Sequence, residues 1–84
     1  MYVGGEGNKM RATYDPSVDM AYIYIQNNIP PGGTAKSIEV RNDKNHTLFV
    51  IDLDSDGKLL GIEVFSGKYL PKEVMDSAEI LKGG

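Results

Sequence analysis

The chain has 84 residues, a formal net charge of −3 and no cysteine. This length supports one small domain, and the lack of cysteine excludes disulfides and thiolate metal sites. The negative charge, with no run of basic residues, argues against nonspecific nucleic-acid binding. No apolar run is long enough to span a membrane, and no basic-then-apolar signal pattern begins the chain. We therefore expect a soluble cytoplasmic protein.

The N-terminal part of the chain predicts an arm, a strand and a turn. Residues 1–9 contain three glycines and little apolar content, so we expect a flexible arm, with the folded domain at residues 10–84. Residues 10–14 predict a first short strand. Asp15-Pro16-Ser17 is typical of a turn, in which aspartate carboxylates such as those of Asp15 and Asp19 accept hydrogen bonds from nearby backbone amides.

Two more strands are predicted before the middle of the chain. Residues 19–26 alternate strictly between two faces, one with Ala21, Ile23 and Ile25 and the other with Met20, Tyr22 and Tyr24. Because both faces are apolar or amphipathic, this strand is expected inside the sheet. Residues 27–33 contain two prolines and two glycines and predict a loop. Residues 34–41 form a less apolar strand, which indicates a position near a sheet edge.

Residues 46–65 predict a central hairpin. Asp56-Gly57 between two apolar runs favours a two-residue type I′ turn, which requires positive φ at both residues. Counting outward from this turn gives one wholly apolar face, with the pairs Leu53–Leu60, Ile51–Ile62 and Phe49–Val64. The opposite face pairs Asp52 with Gly61. A glycine inside a strand often marks a bulge or a close approach, so we expect another group to press against the sheet there.

The same segment matches the pattern of an EF-hand calcium loop, with candidate ligands Asp52, Asp54, Asp56 and Glu63. However, its flanks are rich in β-branched and aromatic residues, whereas an EF-hand loop lies between helices. In a paired hairpin the first and last ligands lie on different strands, so the loop could not wrap an ion. We therefore expect a turn with solvated carboxylates, no metal and no cofactor. The competing interpretation is a calcium-binding protein or a metal-dependent hydrolase that uses these four carboxylates.

The C-terminal segment predicts one helix. Ser66-Gly67 ends the last strand, Pro71 suits a first helical turn, and residues 72–82 are good helix formers, with Gly83 as the stop. An apolar stripe is formed by Val74, Ala78 and Leu81, flanked by Met75 and Ile80. The predicted fold is α+β, an antiparallel sheet of about five strands arranged as a meander of hairpins, with this helix packed on one face. We expect the helix over Phe49, Ile51, Leu53, Leu60, Ile62 and Val64.

Several motifs occur in a defined order along the chain: Tyr14-Asp15-Pro16, Asp19 with Tyr22-Ile23, Val50-Ile51-Asp52-Leu53-Asp54 before Asp56-Gly57, and Leu60-Gly61-Ile62-Glu63. Together they resemble the YuzE-like family of small bacterial and archaeal proteins, classed as domain of unknown function 2283. The resemblance covers residues 10–65. The family has no established activity, so no catalytic residue is implied. Its members are sometimes encoded beside small toxin-like proteins, which implies a binding role.

Two functional hypotheses follow, of which we favour the first. It describes a non-enzymatic protein-interaction module that acts as a homodimer or as the neutralising partner of a small basic toxin-like protein. One helix can cover only one face of the sheet, so the other face would present an apolar and aromatic patch, formed by Tyr22, Tyr24, Leu48, Val50, Leu59 and Phe65. The second hypothesis is the carboxylate-based metal site described above.

Overall fold

A computed structural model describes residues 11–82. The predicted arm at residues 1–9 and the predicted helix stop at Gly83 lie outside the described residues. The elements in chain order are β1 (Arg11–Asp15), β2 (Met20–Tyr24), β3 (Lys36–Arg41), β4 (Thr47–Leu53), β5 (Leu59–Val64), a 3₁₀ helix (Gly67–Tyr69), α1 (Lys72–Ser77) and β6 (Glu79–Ile80). Within residues 11–82, no helix has the length and apolar character needed to cross a membrane.

The strands form one sheet in the order β3-β4-β5-β2-β1-β6. The pairs among β1 to β5 are antiparallel, whereas β6 pairs with β1 in parallel. The β-rich α+β outline is confirmed, but the sheet is mixed rather than purely antiparallel. As predicted, β2 is internal and β3 lies at an edge. Because β3 and β6 are the two outer strands, the described sheet is open.

The strands do not follow a simple meander, because β2 pairs with β5 and not with β3. The segment between β2 and β3 must pass both β5 and β4, which is about 14 Å at the usual strand spacing. Backbone hydrogen bonds hold both ends of this crossing: the amide of Ile25 donates to the Leu60 carbonyl at 2.9 Å, and the amide of Ala35 donates to the Leu53 carbonyl at 2.8 Å. The long proline- and glycine-containing loop is therefore a crossing between distant strands.

The central hairpin keeps the predicted register over most of its length, in the pairs Phe49–Val64, Ile51–Ile62 and Asp52–Gly61. Near the turn the register shifts after Asp52, so that Leu53 faces Leu59. The predicted pair of Leu53 with Leu60 is therefore wrong. The shift arises because the loop is longer by one residue than a two-residue turn.

The turn itself differs from the predicted type I′ geometry. Gly57 has a φ of +80°, as expected, but Asp56 does not adopt a positive φ. The Gly57 amide donates to the carbonyl of Asp54, and the Asp54 amide donates to the carbonyl of Lys58, each at 2.9 Å. These bonds define a three-residue loop with glycine at its left-handed position, the next commonest way to close a hairpin.

The C-terminal helix is shorter than predicted. It ends at Ser77, and Ala78 is already extended with a ψ of 143°. Residues 79–80 then pair with residues 13–14 of β1, and the amide of Leu81 donates to the Tyr14 carbonyl at 2.8 Å. The edge of β1 offers backbone hydrogen-bond partners to residues 79–81. These tertiary hydrogen bonds outweigh the helix propensity of that segment. The predicted apolar stripe is broken as a result, with Ile80 and Leu81 exposed.

The sheet has two faces of different character. The helix face carries α1 and, by strand alternation, Ala12, Tyr14, Ala21, Ile23, Ile38, Val40, Phe49, Ile51, Ile62 and Val64. The tyrosine face carries Met20, Tyr22, Tyr24, Leu48, Val50, Asp52, Gly61 and Glu63. α1 packs against β1, at one end of the helix face. The prediction that it lies over β4 and β5 is wrong, although it chose the correct face.

The core is small. Among the described residues, the buried apolar side chains are Ala12, Ala21, Leu60 and Val64, of which only Leu60 and Val64 are large. All seven residues of β4 are half-buried. Because side chains alternate along a strand, this means that neither face of β4 is fully covered.

Candidate interaction surface

A hydrogen-bonded cluster crosses the tyrosine face from β2 to β3. The Tyr22 hydroxyl donates to Oδ2 of Asp52 at 3.0 Å, and the Ser37 hydroxyl donates to Oδ1 of the same carboxylate at 2.7 Å. Burial raises the pKa of Tyr22 above its ordinary value, and the hydrogen bond to Asp52 raises it further. The phenol therefore stays protonated at neutral pH and remains a donor to the carboxylate.

Gly61 is the residue that lets this cluster form. β5 lies between β2 and β4, so the side chain of Tyr22 must pass over it to reach Asp52. A Cβ at position 61 would lie 2.5 Å from the Tyr22 hydroxyl oxygen and 2.6 Å from its Cε2. The predicted close approach at Gly61 is confirmed, and the group that approaches is an aromatic ring.

Tyr24 extends the aromatic surface along β2. Its ring centre lies 4.7 Å from that of Tyr22, with an interplanar angle of 70°, an edge-to-face contact that aromatic pairs favour. The guanidinium carbon of Arg11 lies 4.0 Å from the centre of the Tyr24 ring. The face of this ring thus already holds a cation from its own chain.

Three of the other predicted contact residues reach the same face. Alternation and register place Leu48 and Val50 of β4 there, whereas Leu59 lies beyond the register shift and pairs with Leu53. Phe65 follows β5, donates its amide to the Leu48 carbonyl at 3.0 Å, and is exposed. Glu63 lies in register between Tyr22 and Val50. Five of the six residues selected from sequence, all except Leu59, therefore share one surface, although they are dispersed over three parts of the chain.

Charge is divided unevenly between the two faces. Among the described strand residues, the tyrosine face holds five acids, Asp15, Glu39, Asp52, Glu63 and Glu79, against two arginines, Arg11 and Arg41. Glu39 and Arg41 form an ion pair with each other. The strand positions of the helix face carry one charge, that of Lys36. The strands of the tyrosine face therefore carry an excess of acids that the strands of the helix face lack.

The four carboxylates of the EF-hand pattern do not converge on one point. Asp52 belongs to the tyrosine cluster. Oδ1 of Asp54 accepts the amides of Asp56 and Lys58 at 2.9 Å each, and its Oδ2 accepts the side-chain amide of Gln26 at 3.2 Å. These bonds, the one from Lys58 foremost, lower the pKa of Asp54. Across residues 11–82, no three His, Cys, Asp or Glu side chains form a group that could hold a metal.

A second polar cluster, which sequence reasoning missed, joins the β1–β2 turn to the end of β5. Asp19 has a φ of +54°. Its carboxylate accepts the Tyr14 hydroxyl at 2.6 Å, the Ser66 hydroxyl at 2.7 Å and the Gly67 amide at 3.0 Å. The hydrogen bond from Tyr14, followed by those from Ser66 and Gly67, lowers the pKa of Asp19 to about 2.

Asp19 was expected to cap its own turn, but it binds groups almost fifty residues away in the chain. Asp15 does act locally, because its Oδ1 accepts the amide of Ser17 at 3.0 Å and the Ser17 hydroxyl at 2.6 Å. No local pattern around Asp19 distinguishes these two roles. Ser66-Gly67 likewise predicts only the end of a strand, so no sequence signal indicated this cluster.

A family model described as "Protein of unknown function (DUF2283)" matches residues 11–66. The match spans β1 to β5 and ends at Ser66, so it includes the Tyr22–Gly61–Asp52 cluster. Neither the curated proteins nor the solved structures yielded a match to this chain. The numbered family predicted from the motifs is confirmed, while the narrower YuzE-like name stays a prediction. With two thirds of its length matched by that model, the chain belongs to the DUF2283 family of proteins of unknown function.

Proposed function

We propose that this protein is a non-enzymatic interaction module whose tyrosine face binds another protein. The observation that carries the proposal is the placement of Tyr22 over Gly61 with its hydroxyl on Asp52. This arrangement fixes an aromatic ring within a surface that also presents Tyr24 and the apolar side chains of β4. Tyrosine is enriched at the centres of protein interfaces, where one side chain supplies both apolar area and a polar group.

A pre-ordered ring suits binding for an entropic reason. Ordering of side chains on association opposes binding, by about 0.5–1.5 kcal/mol for each rotamer-rich side chain. Tyr22 is held by a hydrogen bond at its hydroxyl and by the backbone of Gly61 beneath it, and its ring packs against that of Tyr24. These two tyrosines therefore lose little freedom when a partner covers them.

The charge of the tyrosine face defines the kind of partner. The strands of this face carry five acids against two arginines, and one of the acids, Glu63, lies beside Tyr22 in register. Complementary charge speeds association and excludes partners of like charge. A small basic protein, such as the toxin-like partner that the family resemblance implies, has the complementary charge.

The alternative of a metal-dependent hydrolase or calcium-binding protein has no geometry in its favour. Asp52 and Asp54 each use both carboxylate oxygens in hydrogen bonds within the fold. A metal would have to compete with these bonds. The interaction module needs no such rearrangement.

The test begins with capture of a partner from the native host, with proteins from the neighbouring reading frames as first candidates, followed by titration calorimetry on the purified pair. We expect Tyr24→Ala and Glu63→Gln to weaken binding about tenfold or more, which corresponds to about 1.4 kcal/mol. Val18→Ala is the matched control, since Val18 is 59% exposed in the β1–β2 turn and belongs to none of the strands that form the tyrosine face. Urea midpoints verify that each variant is folded. Equal affinity for all three variants would contradict the proposal.

A further inference from the structure

We propose that a second copy of this chain covers the open part of the helix face, so that the protein is a homodimer through the side opposite its tyrosine face. The inference is independent of the proposed function, because it concerns the other side of the sheet. It also changes the interface expected from sequence, which was the face opposite the helix.

A row of isoleucines crosses the open part of the helix face. Register pairs Ile38 with Ile51, Ile51 with Ile62 and Ile62 with Ile23, across the four neighbouring strands β3, β4, β5 and β2. The row ends on β1 at Ala12. α1 packs over β1, where the small residue leaves room for it. Val74 and Ser77 of α1 border Ile23, whereas no residue of α1 lines the groove that contains Ile51 and Ile62.

These side chains border an open apolar groove together with the segment after the 3₁₀ helix. Its lining consists of Ile23, Phe49, Ile51, Ile62, Val64 and Leu70. Ile38, the outer member of the row, is 41% exposed. With two large side chains fully buried among residues 11–82, the core is small, and association is a usual way for small domains to bury more apolar surface.

For a second copy, the distribution of charge favours the helix face over the tyrosine face. In a two-fold interface the same surface meets itself, so each charge approaches its own kind. Self-association through the tyrosine face would bring its excess of acids together. On the helix face the described strands carry one charge, Lys36 on the outer strand, and the residues that line the groove are uncharged, so two copies meet at the groove without such repulsion. Association through this side also leaves the tyrosine face free for another protein.

The geometry favours face-to-face packing over strand addition at the sheet edge. β3 is an outer strand, but it carries Lys36, Glu39 and Arg41, and its register shifts between Val40 and Arg41. Charged residues and bulges on an outer strand are the features that prevent edge-to-edge pairing. The two copies therefore join through the isoleucine row rather than through the backbone of β3.

Light scattering coupled to size exclusion, from about 5 to 500 µM protein, tests the assembly. We expect the dimer mass for the wild type and the monomer mass for Ile38→Lys. The matched control is Val18→Lys, since Val18 is an exposed apolar residue that does not line the groove, and this variant should stay dimeric. Circular dichroism and urea unfolding of Ile38→Lys establish that this variant is folded. A monomeric wild type over the whole range, or a dimer unaffected by Ile38→Lys, would overturn the proposal.

A second measurement locates the interface without a charge change. The chain has no cysteine, so Ile38→Cys and Glu39→Cys each introduce a single thiol, at exposed neighbouring positions on opposite faces of β3. We expect alkylation of the Ile38→Cys thiol to slow about tenfold as protein concentration rises, with no change for Glu39→Cys. Protection of the Glu39→Cys thiol instead would place the interface on the tyrosine face and refute the inference. Neither result depends on a heterologous partner, so this test can fail while the proposed function stands.

Discussion

Tyr22 reaches Asp52 by crossing the backbone of Gly61, and it can do so because position 61 carries no side chain. The three residues lie on three neighbouring strands, β2, β5 and β4. The hydrogen bond thus ties together two strands that do not pair with each other. It also places an aromatic ring at the centre of the acidic face, where a protein partner would meet it.

Gly61→Ala should destabilise the fold by about 1–3 kcal/mol, the usual cost of overpacking. The added Cβ would lie 2.5 Å from the Tyr22 hydroxyl oxygen and 2.7 Å from the carbonyl oxygen of Ile23. The second contact is with backbone, which cannot rotate away. Urea unfolding measures the change, and the double variant Gly61→Ala/Tyr22→Phe should recover only part of it. If Gly61→Ala unfolded at the wild-type urea midpoint, the sheet would have to rearrange around position 61 without loss of stability, which would contradict the prediction.

Gly57→Val should destabilise by more than about 1 kcal/mol for a different reason. Gly57 has a φ of +80°, and a Cβ there would meet nothing within 4 Å. The cost therefore comes from the left-handed backbone alone, which β-branched residues rarely adopt. Gly57→Asn should cost less, since asparagine tolerates this conformation. Equal urea midpoints for Gly57→Asn and Gly57→Val would argue that the turn can change its geometry.

Asp19→Asn should change how stability depends on acid. The pKa of Asp19 is lowered from 3.8 to about 2 in the folded protein. A lowered folded-state pKa stabilises the protein above the unfolded value, and this contribution is lost as pH falls from 3.8 towards 2. Replacing the carboxylate should therefore lower stability at neutral pH and flatten the loss of stability in acid.

The measurement for Asp19 is urea unfolding at several pH values between neutral and about 2. Asparagine keeps the shape and tolerates the φ of +54° at this position, so the backbone should be preserved. Asp43→Asn is a suitable control, since Asp43 is an exposed residue in the β3–β4 turn. If the Asp19→Asn and wild-type curves stay parallel through the acid range, the Tyr14–Ser66–Gly67 cluster does not stabilise the charged form.

Calcium at millimolar concentration should leave the melting temperature within about one degree, because a ligand stabilises only through preferential binding to the folded state. Asp54→Ala should lower the melting temperature whether or not calcium is present, since its carboxylate accepts two amides of its own turn. Differential scanning fluorimetry measures both effects. A saturable rise with calcium that Asp54→Ala abolishes would restore the metal-site interpretation.

The sequence by itself determined the central hairpin and the composition of its faces. Strict alternation and the Asp-Gly turn predict the pairs Phe49–Val64 and Ile51–Ile62, which the structure contains. These residues are close in the chain, so local pattern and turn chemistry suffice to align them. The close approach at Gly61 followed from the same predicted register. The register shift beside the turn could not be predicted, because Asp-Gly occurs in both two- and three-residue loops.

Only the tertiary structure decided which distant segments meet. Residues 78–80 have ordinary helix propensity, yet α1 ends at Ser77. Residues 79–80 instead pair with the edge of β1 as β6. Asp19 and Ser66 are far apart in the chain, and nothing local to either residue predicts their hydrogen bond. The position of α1 over β1, away from the groove at Ile51 and Ile62, is likewise set by contacts between distant segments. Each of these arrangements depends on which backbone groups find hydrogen-bond partners and which apolar surfaces are buried across the whole sheet. A local stretch of sequence does not contain that information.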